Sequence, residues 1–286
     1  MKHYDVIIVG AGPAGASCAL YTTNGGLSTA VFYTEKTALA KAEHVTNFYG
    51  KRTTGAELYA AGIAQAEQNG AEMHAEEILS LGYGLSGEFV AKTAQNEYSA
   101  PIAVLACGTG RLAPALPGLK PLEGAGVSYC ATCDAFFARG KDVAVIGNGD
   151  YALEEASVLA PLAHSVTIFT DGLPAPDTSL PVVTQKLMRV EGETSVTGLL
   201  TEDGTVHKVQ RVFVALGTAG AAALALKLGA QIEGNGITVD QNCATSIPNL
   251  YACGDCTGGL LQIAKAVHEG AIAGMTIVKA HNAKKN

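Results

Sequence analysis

The sequence predicts an α/β protein that contains two copies of one module, a strand followed by a glycine turn and a helix. In the first copy, the apolar run Val6–Val9 leads into Gly10-Ala-Gly-Pro-Ala-Gly15. In the second, the run Asp142–Ile146 leads into Gly147-Asn-Gly-Asp-Tyr-Ala152. The chain has 286 residues, of which 48% are hydrophobic, so it is long and apolar enough for two domains with sizeable cores.

The first glycine turn has the form G-x-G-x-x-G, and the strand before it and the helix after it make this pattern informative. Gly10 permits the tight turn, Gly12 lets a pyrophosphate approach the backbone, and Gly15 lets the helix pack on the strand. The helix N-terminus then presents free N–H groups to the phosphates. An ordinary glycine-rich turn is the alternative interpretation.

The stretch after this module continues the alternation of strands and helices. The next strand is predicted at Thr29–Tyr33, and an acidic residue at its end would bind the ribose of an adenosine. Tyr33 stands at that place and Glu35 follows two residues later, which leaves the ribose ligand undecided. We expect a loop at Asn47–Gly50, a helix from Thr54 to about Asn69, and strands at Phe89–Thr93, Glu97–Ser99 and Ile102–Ala106.

The most informative motif is Cys130-Ala-Thr-Cys133-Asp134, between the two modules. Two cysteines separated by two residues can close a small disulfide. Two electrons reduce this disulfide, and it forms again when one of the resulting thiolates attacks another disulfide. Structural zinc is the alternative, because a second C-x-x-C, Cys253-Gly-Asp-Cys256, lies about 120 residues away. We favour redox chemistry, since each pair falls within a pattern that explains it without a metal.

In the remainder of the chain, Leu153–Leu159 is the predicted helix of the second module and Val166–Phe169 its next strand. Residues 171–211 are short and loosely patterned. Two further strands are predicted at Val212–Leu216 and Asn249–Ala252, and a last helix at Gln262–Gly274.

Composition and charge exclude several classes of function. The formal net charge of −7 gives no electrostatic reason to expect nucleic acid or an anionic membrane surface as a partner. Val212–Leu226 is free of charged residues, but it is shorter than a membrane span and broken by two glycines. The glycine turn begins too early to leave room for a signal peptide, and the seven cysteines are sparse. These observations predict a cytoplasmic protein.

Together, five segments resemble the low-molecular-weight thioredoxin reductases, and the resemblance covers nearly the whole chain. The segments are Gly10–Gly15, Asn47–Gly50, Thr54–Leu58, Gly126–Asp134 and Ala252–Asp255. The resemblance implies two doubly wound, Rossmann-like three-layer domains, the second inserted into the first. Residues 1–110 and 213–286 would bind FAD, and 111–212 would form a shortened NAD(P)H-binding-like domain with the cysteine pair. It also implies a homodimer.

The resemblance further implies roles for individual residues. Cys133 would take electrons from the reduced flavin, and Cys130 would attack the disulfide of thioredoxin or a thioredoxin-like protein. Asp134 would be the general acid that protonates the leaving thiolate. No metal is implied. FAD would be bound by Gly10, Gly12, Pro13, Ala14, Gly15, Tyr33, Asn47, Gly108, Gly254, Asp255, Gln262 and Ile263.

The second module departs from the pattern of NADPH-dependent members, which place arginines after its second strand to bind the 2′-phosphate. Here the matching stretch, Thr167–Pro176, has no basic residue, and Asp171 would repel a 2′-phosphate. NADPH is therefore not expected as the electron donor. Asp171 could instead accept hydrogen bonds from an NAD ribose, although Tyr151 crowds the approach of a nucleotide.

A branch of the family, the ferredoxin-dependent flavin thioredoxin reductases, is similar at Lys41–Gly50, Gly147–Ala152 and Gly258–Val267. This similarity implies an FAD-dependent thioredoxin-disulfide reductase with reduced ferredoxin as donor. Two alternatives stay open: the same disulfide chemistry driven by NADH, and a flavin disulfide oxidase or redox sensor of the same fold.

Overall fold

The computed structural model describes residues 1–35, 37–108, 115–216, 220–234 and 236–285, without the side chains of residues 132, 133, 284 and 285. The chain divides into two compact units. The first comprises Met1–Gly110 and Gly220–Asn286, and the second comprises Arg111–Ala219.

The described strands are short, and ten of them belong to two parallel sheets of five strands each. In chain order they are β1 (Lys2–His3), β2 (Val6–Val9), β3 (Thr29–Phe32), β4 (Val45–Phe48), β5 (Lys51–Thr53), β6 (Glu72–His74), β7 (Ser80–Tyr83), β8 (Phe89–Lys92), β9 (Glu97–Ala100), β10 (Ile102–Leu105), β11 (Val127–Ser128), β12 (Asp142–Ile146), β13 (Ser165–Phe169), β14 (Val182–Val183), β15 (Leu187–Glu191), β16 (Gly198–Thr201), β17 (Val206–His207), β18 (Arg211–Val214), β19 (Ile232–Glu233), β20 (Gly236–Ile237) and β21 (Leu250–Ala252).

The described α-helices are α1 (Pro13–Asn24), α2 (Gly55–Gln68), α3 (Ala131–Asp134), α4 (Asp150–Leu159), α5 (Ala221–Lys227) and α6 (Ile263–Lys285). Short 3₁₀ turns lie at Leu39–Lys41, Ala135–Ala138 and Asp255–Thr257. No helix within the described ranges is both long and apolar enough to cross a membrane.

The first unit is built on a five-stranded sheet of order β21-β10-β2-β3-β6, in which neighbouring strands run parallel. The apolar run of β2 is buried along its whole length, as a central parallel strand covered on both faces requires. A second sheet, of order β1-β9-β8-β7, extends the unit. The carboxyl ends of β2 and β10 lie at one edge, where the first glycine turn begins.

Helices α1, α2 and α6 belong to the first unit, and local sequence signals set some of their ends. Helix α2 begins with a capping box, because Thr54 Oγ1 accepts from Glu57 N at 3.2 Å and Glu57 Oε2 accepts from Thr54 N at 3.1 Å. Helix α6 runs to Lys285 rather than to the predicted Gly274, because no helix-breaking residue follows and Ile277 is buried in the core.

The predicted loop at Asn47–Gly50 is wrong at its start. Val45–Phe48 and Lys51–Thr53 form an antiparallel hairpin, with Tyr49 and Gly50 at its tip. Gly50 has a φ of +78°, which the turn needs and glycine adopts without strain.

The second unit is built on a parallel sheet of order β11-β18-β12-β13-β14. The predicted domain boundary at residue 213 differs from the observed division, because Arg211–Val214 is paired between β11 and β12 of this sheet. Residues 171–211, which looked loosely patterned, include an antiparallel sheet of order β15-β16-β17. Its strands are short and interrupted by a register shift after Leu187, which hides their alternation in the sequence.

Each unit has its own hydrophobic core. The core of the first unit is formed by β2, β3, β10, α1 and α6, and that of the second by β11, β12, β18 and the antiparallel sheet. The predicted fold class is confirmed: the chain is a mixed α/β protein with two Rossmann-like units.

Candidate active site

The first glycine turn of the first unit forms an open cradle at the N-terminus of α1. Gly10 has a φ of +109°, and a Cβ there would lie 2.5 Å from the Ala106 carbonyl oxygen. A Cβ on Gly15 would overlap the Gly10 carbonyl oxygen, so this residue must be glycine for the helix to approach the turn. At Gly12, by contrast, a Cβ would meet nothing within 4 Å. The space above Gly12 is therefore open.

The N-terminus of α1 faces this open space without a side-chain cap. Gly12 is the N-cap of a helix of 12 residues, and Pro13 takes the first helical position, where a missing N–H costs nothing. Uncapped N–H groups together with the helix dipole favour an anion at this point. Ala14 is buried behind the turn at 3% exposure, where it packs against Gly254.

A second part of the first unit, the turn Gly254–Gly258, is held by an ion pair within α6. Lys265 Nζ donates to the carbonyl oxygens of Gly254 at 2.8 Å and Gly258 at 2.6 Å, and to Thr257 Oγ1 at 2.7 Å. Glu269 lies 3.2 Å from Lys265 Nζ and accepts from Gly254 N at 2.8 Å. The pair therefore sets the conformation of the turn that carries Asp255.

Asp255 is half-buried within this turn. Burial raises the pKa of its carboxyl above the ordinary value, the Lys265 ammonium opposes the rise, and Glu269 adds to it. A half-buried carboxyl is stabilised when a hydroxyl or another hydrogen-bonding group of a ligand pairs with it.

Two of the predicted cofactor residues come together although they are far apart in sequence. Asn47 Nδ2, on the β4–β5 hairpin, donates to Gln262 Oε1 at 2.8 Å, directly before α6 begins at Ile263. Tyr33 follows β3, and its backbone N–H donates to the His74 carbonyl at 2.9 Å. Gly108 follows β10 with a φ of +72°. Among the described residues, no hydrogen bond connects Tyr33 or Gly108 to the Asn47–Gln262 pair.

The second C-x-x-C pair is structural. Cys253 and Cys256 are buried free thiols, and Cys256 Sγ donates to the Leu105 carbonyl at 3.3 Å. Burial raises the pKa of both thiols, which keeps them protonated. In the part of the chain that the structure describes, no group of three or more His, Cys, Asp or Glu side chains is arranged to hold a metal ion.

The first C-x-x-C lies in the second unit, where α3 begins directly after Cys130. Cys130 is disulfide-bonded and 4% exposed. The side chain of Cys133 lies outside the described part of the chain, so its predicted role stays a prediction. Asp134 is the last residue of α3, and its carboxylate Oδ2 accepts from Ser128 Oγ at 2.6 Å. Ser128 Oγ also accepts from the Cys130 N–H at 3.1 Å, so Ser128 links the predicted acid to the backbone of the cysteine that precedes α3.

A buried carboxylate holds this cysteine turn from the other side. Glu155, on α4, is 1% exposed, and its Oε2 accepts from the backbone N–H of Ala131 at 2.5 Å. Ala131 is the first residue of α3, so Glu155 anchors the helix at the end that adjoins Cys130.

An exposed aromatic pair follows the cysteine turn. Phe136 and Phe137 are 71% and 55% exposed. The Arg139 guanidinium lies 5.6 Å from the centre of the Phe136 ring, and that of Arg211 lies 5.7 Å from the Phe137 ring. Two exposed aromatic rings with stacked cations form a surface suited to a protein partner.

The second glycine turn also belongs to this unit, and a neighbouring loop is tied to it. A Cβ on Gly147 would overlap the Ala215 carbonyl oxygen, whereas Gly149 faces open space. Asn148 Nδ2 donates to the Pro174 carbonyl at 3.4 Å, which holds the loop after β13 against the turn. Asp171 has a φ of +52°, and its Oδ1 accepts from Leu187 N at 2.8 Å. Asp171 thus has a structural role at the start of β15.

A family model, pyridine nucleotide-disulphide oxidoreductase, matches residues 4–173 and 179–270 of the chain. The chain belongs to this family.

Among the relatives of this oxidoreductase, a bifunctional thioredoxin reductase/thioredoxin from Mycobacterium leprae is 35% identical over 277 residues. That match takes in 88% of the present chain and 60% of the relative, so the chain spans less than two thirds of that protein. An atypical thioredoxin reductase, TRi, from Desulfovibrio vulgaris Hildenborough is similar in structure, with a TM-score of 0.90, 36% identity and coverage of 98% and 99% of the two chains. A ferredoxin-flavin thioredoxin reductase from Clostridium acetobutylicum gives a TM-score of 0.75 at 30% identity, with 99% of each chain covered.

These matches confirm the wider family, with thioredoxin reductases among the relatives, and they confirm the cofactor, since thioredoxin reductases of the pyridine nucleotide-disulphide oxidoreductase family are FAD flavoproteins. The first unit of this oxidoreductase fits FAD on its own geometry. The open space above Gly12 and the uncapped N-terminus of α1 suit a pyrophosphate, and the half-buried Asp255 suits a ribityl hydroxyl.

Sequence reasoning missed four residues that shape the sites of this oxidoreductase: Ser128, Glu155, Lys265 and Glu269. All but Ser128 carry a signal in the sequence. Lys265 and Glu269 stand four residues apart on the last predicted helix, and Glu155 falls on the apolar face of α4 with Ala152, Ala156 and Leu159. A charged residue on an apolar helix face indicates a buried, bonded group.

Proposed function

We propose that this oxidoreductase is an FAD-dependent thioredoxin-disulfide reductase that passes electrons through Cys133 and Cys130 to thioredoxin or a thioredoxin-like protein. The observation that carries the proposal is the cysteine turn. A disulfide-bonded Cys130 precedes a helix that ends in an acid, and Ser128 joins the acid to the cysteine's backbone. This arrangement supplies a nucleophile and a proton donor for disulfide exchange.

The proposed reaction starts from the opened pair. The Cys130 thiolate attacks one sulfur of the partner's disulfide, a bond forms between these two sulfurs, and the partner's S–S bond breaks. The departing sulfur keeps the bonding electron pair and takes a proton from Asp134. Cys133 then attacks Cys130 as its thiolate, which re-forms the enzyme disulfide and releases the second partner sulfur as a thiolate that solvent protonates. Solvent also returns the proton to Asp134.

The first unit would hold the cofactor. Gly10, Gly12 and Gly15 would bind the FAD pyrophosphate at the N-terminus of α1, with Pro13 and Ala14 shaping the turn. Asp255 would bind the ribityl chain, and the Asn47–Gln262 pair would lie near the flavin, with Gly108, Gly254 and Ile263 lining the site and Tyr33 near the adenosine. Bound FAD supplies the two electrons that open the enzyme disulfide. The second unit would supply the cysteine pair.

The exposed Phe136–Phe137 pair supports a protein substrate. Burial of two aromatic rings beside the cysteine turn favours docking of an apolar surface on the partner, while Arg139 and Arg211 hold the rings in place.

We propose reduced ferredoxin, not NADPH, as the electron donor. The loop after β13 offers no cation for a 2′-phosphate, and it is bonded to the second glycine turn through Asn148 and Pro174. One carboxylate oxygen of Asp171 accepts a hydrogen bond from the first residue of β15, so the two oxygens cannot both accept hydrogen bonds from ribose hydroxyls in this arrangement. The structural likeness to a ferredoxin-flavin thioredoxin reductase supports the same donor.

Anaerobic reduction of the FAD-loaded protein tests the donor. Its flavin absorbance is followed after addition of NADPH, NADH or chemically reduced ferredoxin, each alone. We expect rapid bleaching by ferredoxin only. Rapid bleaching by NADH would make the open Gly149 turn a working nucleotide site and would overturn the ferredoxin proposal, as would bleaching by NADPH.

The same preparation distinguishes a thioredoxin reductase from a disulfide oxidase and from a redox sensor. After reduction by ferredoxin, addition of oxidised thioredoxin without oxygen should return the flavin absorbance within seconds. Fast return with oxygen and peroxide formation, but none with thioredoxin, would identify a disulfide oxidase. A flavin that no donor bleaches would identify a redox sensor.

We also propose a cytoplasmic homodimer. The five described free thiols suit a reducing compartment, and the family resemblance implies the dimer. Light scattering of the FAD-loaded protein should give twice the chain mass of 29.2 kDa, and a monomeric mass would contradict the assignment.

A further inference from the structure

Ser128 connects the backbone of Cys130 to the carboxylate of Asp134. Cys130 N–H donates to Ser128 Oγ at 3.1 Å, and Ser128 Oγ lies 2.6 Å from Asp134 Oδ2 and 3.4 Å from the Cys130 carbonyl. A hydroxyl has one proton, and Asp134 Oδ2, at the shorter distance, is a better acceptor for it than the Cys130 carbonyl oxygen. The hydrogen bonds therefore run in one direction, from the Cys130 N–H through the Ser128 hydroxyl to Asp134.

The serine stands on a part of the second unit that is held independently of α3. It is the second residue of β11, which pairs in parallel with β18 through Val127–Val212 and Ser128–Phe213. Its hydroxyl is therefore positioned by the sheet, and Asp134 is positioned by the hydroxyl. Ser128 donates to Oδ2, so we place the proton of the acid on the other carboxyl oxygen, Oδ1, for which no described residue provides a hydrogen-bond donor.

We propose that Ser128 is a positioning residue for the proton transfer, which orients Asp134 toward the departing sulfur and stabilises the carboxylate that remains when the proton has gone. This inference rests on the proposed function, in which Asp134 is the general acid. In that step the proton leaves Oδ1 for the partner's sulfur. The negative charge left on Asp134 is then shared along the chain that ends at the Cys130 N–H.

Other charged and titratable groups lie on the elements that pack against α3, and they must stay in place during the test. Helix α4 contributes Glu155, which is bonded to the Ala131 N–H, and Tyr151, which is buried. The Ala135–Ala138 turn is followed by Arg139, whose guanidinium lies on the Phe136 ring. Cys130 directly precedes α3, and Cys133 lies within it. Replacing the neutral Ser128 leaves every one of these charges unchanged.

The test measures the half-reaction that does not depend on the electron donor. FAD-loaded protein is reduced with light and a chemical donor, then mixed with oxidised thioredoxin in a stopped-flow instrument across a range of pH. A rate that needs protonated Asp134 falls at high pH. Ser128→Ala removes a hydrogen bond that favours the carboxylate over the acid. Without that hydrogen bond the fall in rate should move to higher pH, and the maximal rate should be about tenfold lower.

Three variants make the result specific. Ser128→Thr keeps the hydroxyl and should restore the wild-type pH profile. Ser165→Ala removes an equivalent bond in the same unit, Ser165 Oγ to Asp142 Oδ1 at 2.6 Å, and should leave the profile unchanged. Ser128→Gly serves as a second hydroxyl-free variant if Ser128→Ala does not fold, as judged by circular dichroism and retained FAD.

The outcomes separate this inference from the proposed function. Asp134→Asn should abolish the fall in rate at high pH, and if it does not, Asp134 is not the acid and the proposed function fails at that residue. If Asp134→Asn abolishes the fall while both hydroxyl-free variants keep the wild-type profile, Ser128 has no positioning role. An equal shift in Ser165→Ala would likewise overturn the inference.

Discussion

Lys265 illustrates how one side chain can define a binding turn. Its ammonium group donates three hydrogen bonds to the Gly254–Gly258 turn and forms an ion pair with Glu269. The Lys265 side chain is 15% exposed. The ammonium therefore replaces water as the partner of two carbonyl oxygens. Because the turn carries Asp255, the conformation of a proposed FAD ligand depends on a residue that need not touch the cofactor.

We expect Lys265→Gln to weaken FAD binding by about tenfold or more, since glutamine is shorter, has no charge and leaves Glu269 without its partner. Titration of the apoprotein with FAD, followed by flavin fluorescence, gives the dissociation constant. Lys279→Gln is the matched control, because Lys279 is exposed on the same helix. Equal FAD affinity in the two variants would show that the turn does not depend on Lys265.

At the scale of elements, the contact between α1 and α6 determines how close the last helix lies to the glycine turn. Gly270 faces α1, and a Cβ there would overlap the Ala14 carbonyl oxygen. Ser17 Oγ on α1 donates to the Val267 carbonyl on α6 at 2.9 Å, which holds the same contact. The short distance between these helices brings α6, and Lys265 with it, to the cradle.

Gly270→Ala should therefore lower the free energy of unfolding by about 1–3 kcal/mol, because the added methyl group forces the two helices apart. Chemical denaturation followed by circular dichroism measures it. Gly62→Ala in α2 is the control with the opposite sign. A Cβ there makes an ordinary contact at 3.6 Å with Ala16, and alanine in a helix interior should stabilise by about 0.5–1 kcal/mol. A stabilising Gly270→Ala would show that the helices tolerate separation.

At the scale of the whole molecule, the acidic chain carries carboxylates whose ionised form is favoured in the folded state. A hydrogen bond from Lys2 lowers the pKa of Glu72. Burial by itself would raise the pKa of Glu76, but hydrogen bonds from Tyr98, Thr93 and Asn96 outweigh it and lower that pKa. Hydrogen bonds from Ala244 and Asn242 lower the pKa of Asp240.

A carboxyl whose pKa is lower in the folded than in the unfolded state stabilises the protein at any pH above its unfolded-state pKa, which is about 4. This stabilisation is lost as the pH falls through the folded-state pKa. Unfolding free energy should thus decrease below about pH 4. Tyr98→Phe removes the 2.6 Å bond to Glu76 and should cost about 0.5–1.5 kcal/mol at pH 7, with the difference from wild type vanishing in acid. Tyr83→Phe, at a 53% exposed tyrosine, is the control. A Tyr98→Phe deficit that persists unchanged at pH 3 would contradict the electrostatic origin.

The sequence by itself determined the modules of this protein, because their signals are local. Continuous apolar runs such as Val6–Val9, bounded by a glycine turn, indicate buried parallel strands, and the capping box at Thr54 and Glu57 sets a helix start within four residues. Each of the two glycine turns is likewise specified by the residues next to it. The Cys130–Asp134 motif, read in the same way, is enough to predict redox chemistry.

Only the tertiary structure decided which side chains meet. Asn47 bonds to Gln262 across 215 residues of sequence, and Glu155 bonds to Ala131 across 24. Arg211–Val214 joined the second unit because of its strand pairing, although the sequence put the boundary inside it. Contacts of this kind follow from sheet order and helix packing, and no local pattern specifies them. The hydrogen bonds through Ser128 join residues only two and six positions apart, but which atoms they connect was likewise decided by the folded structure.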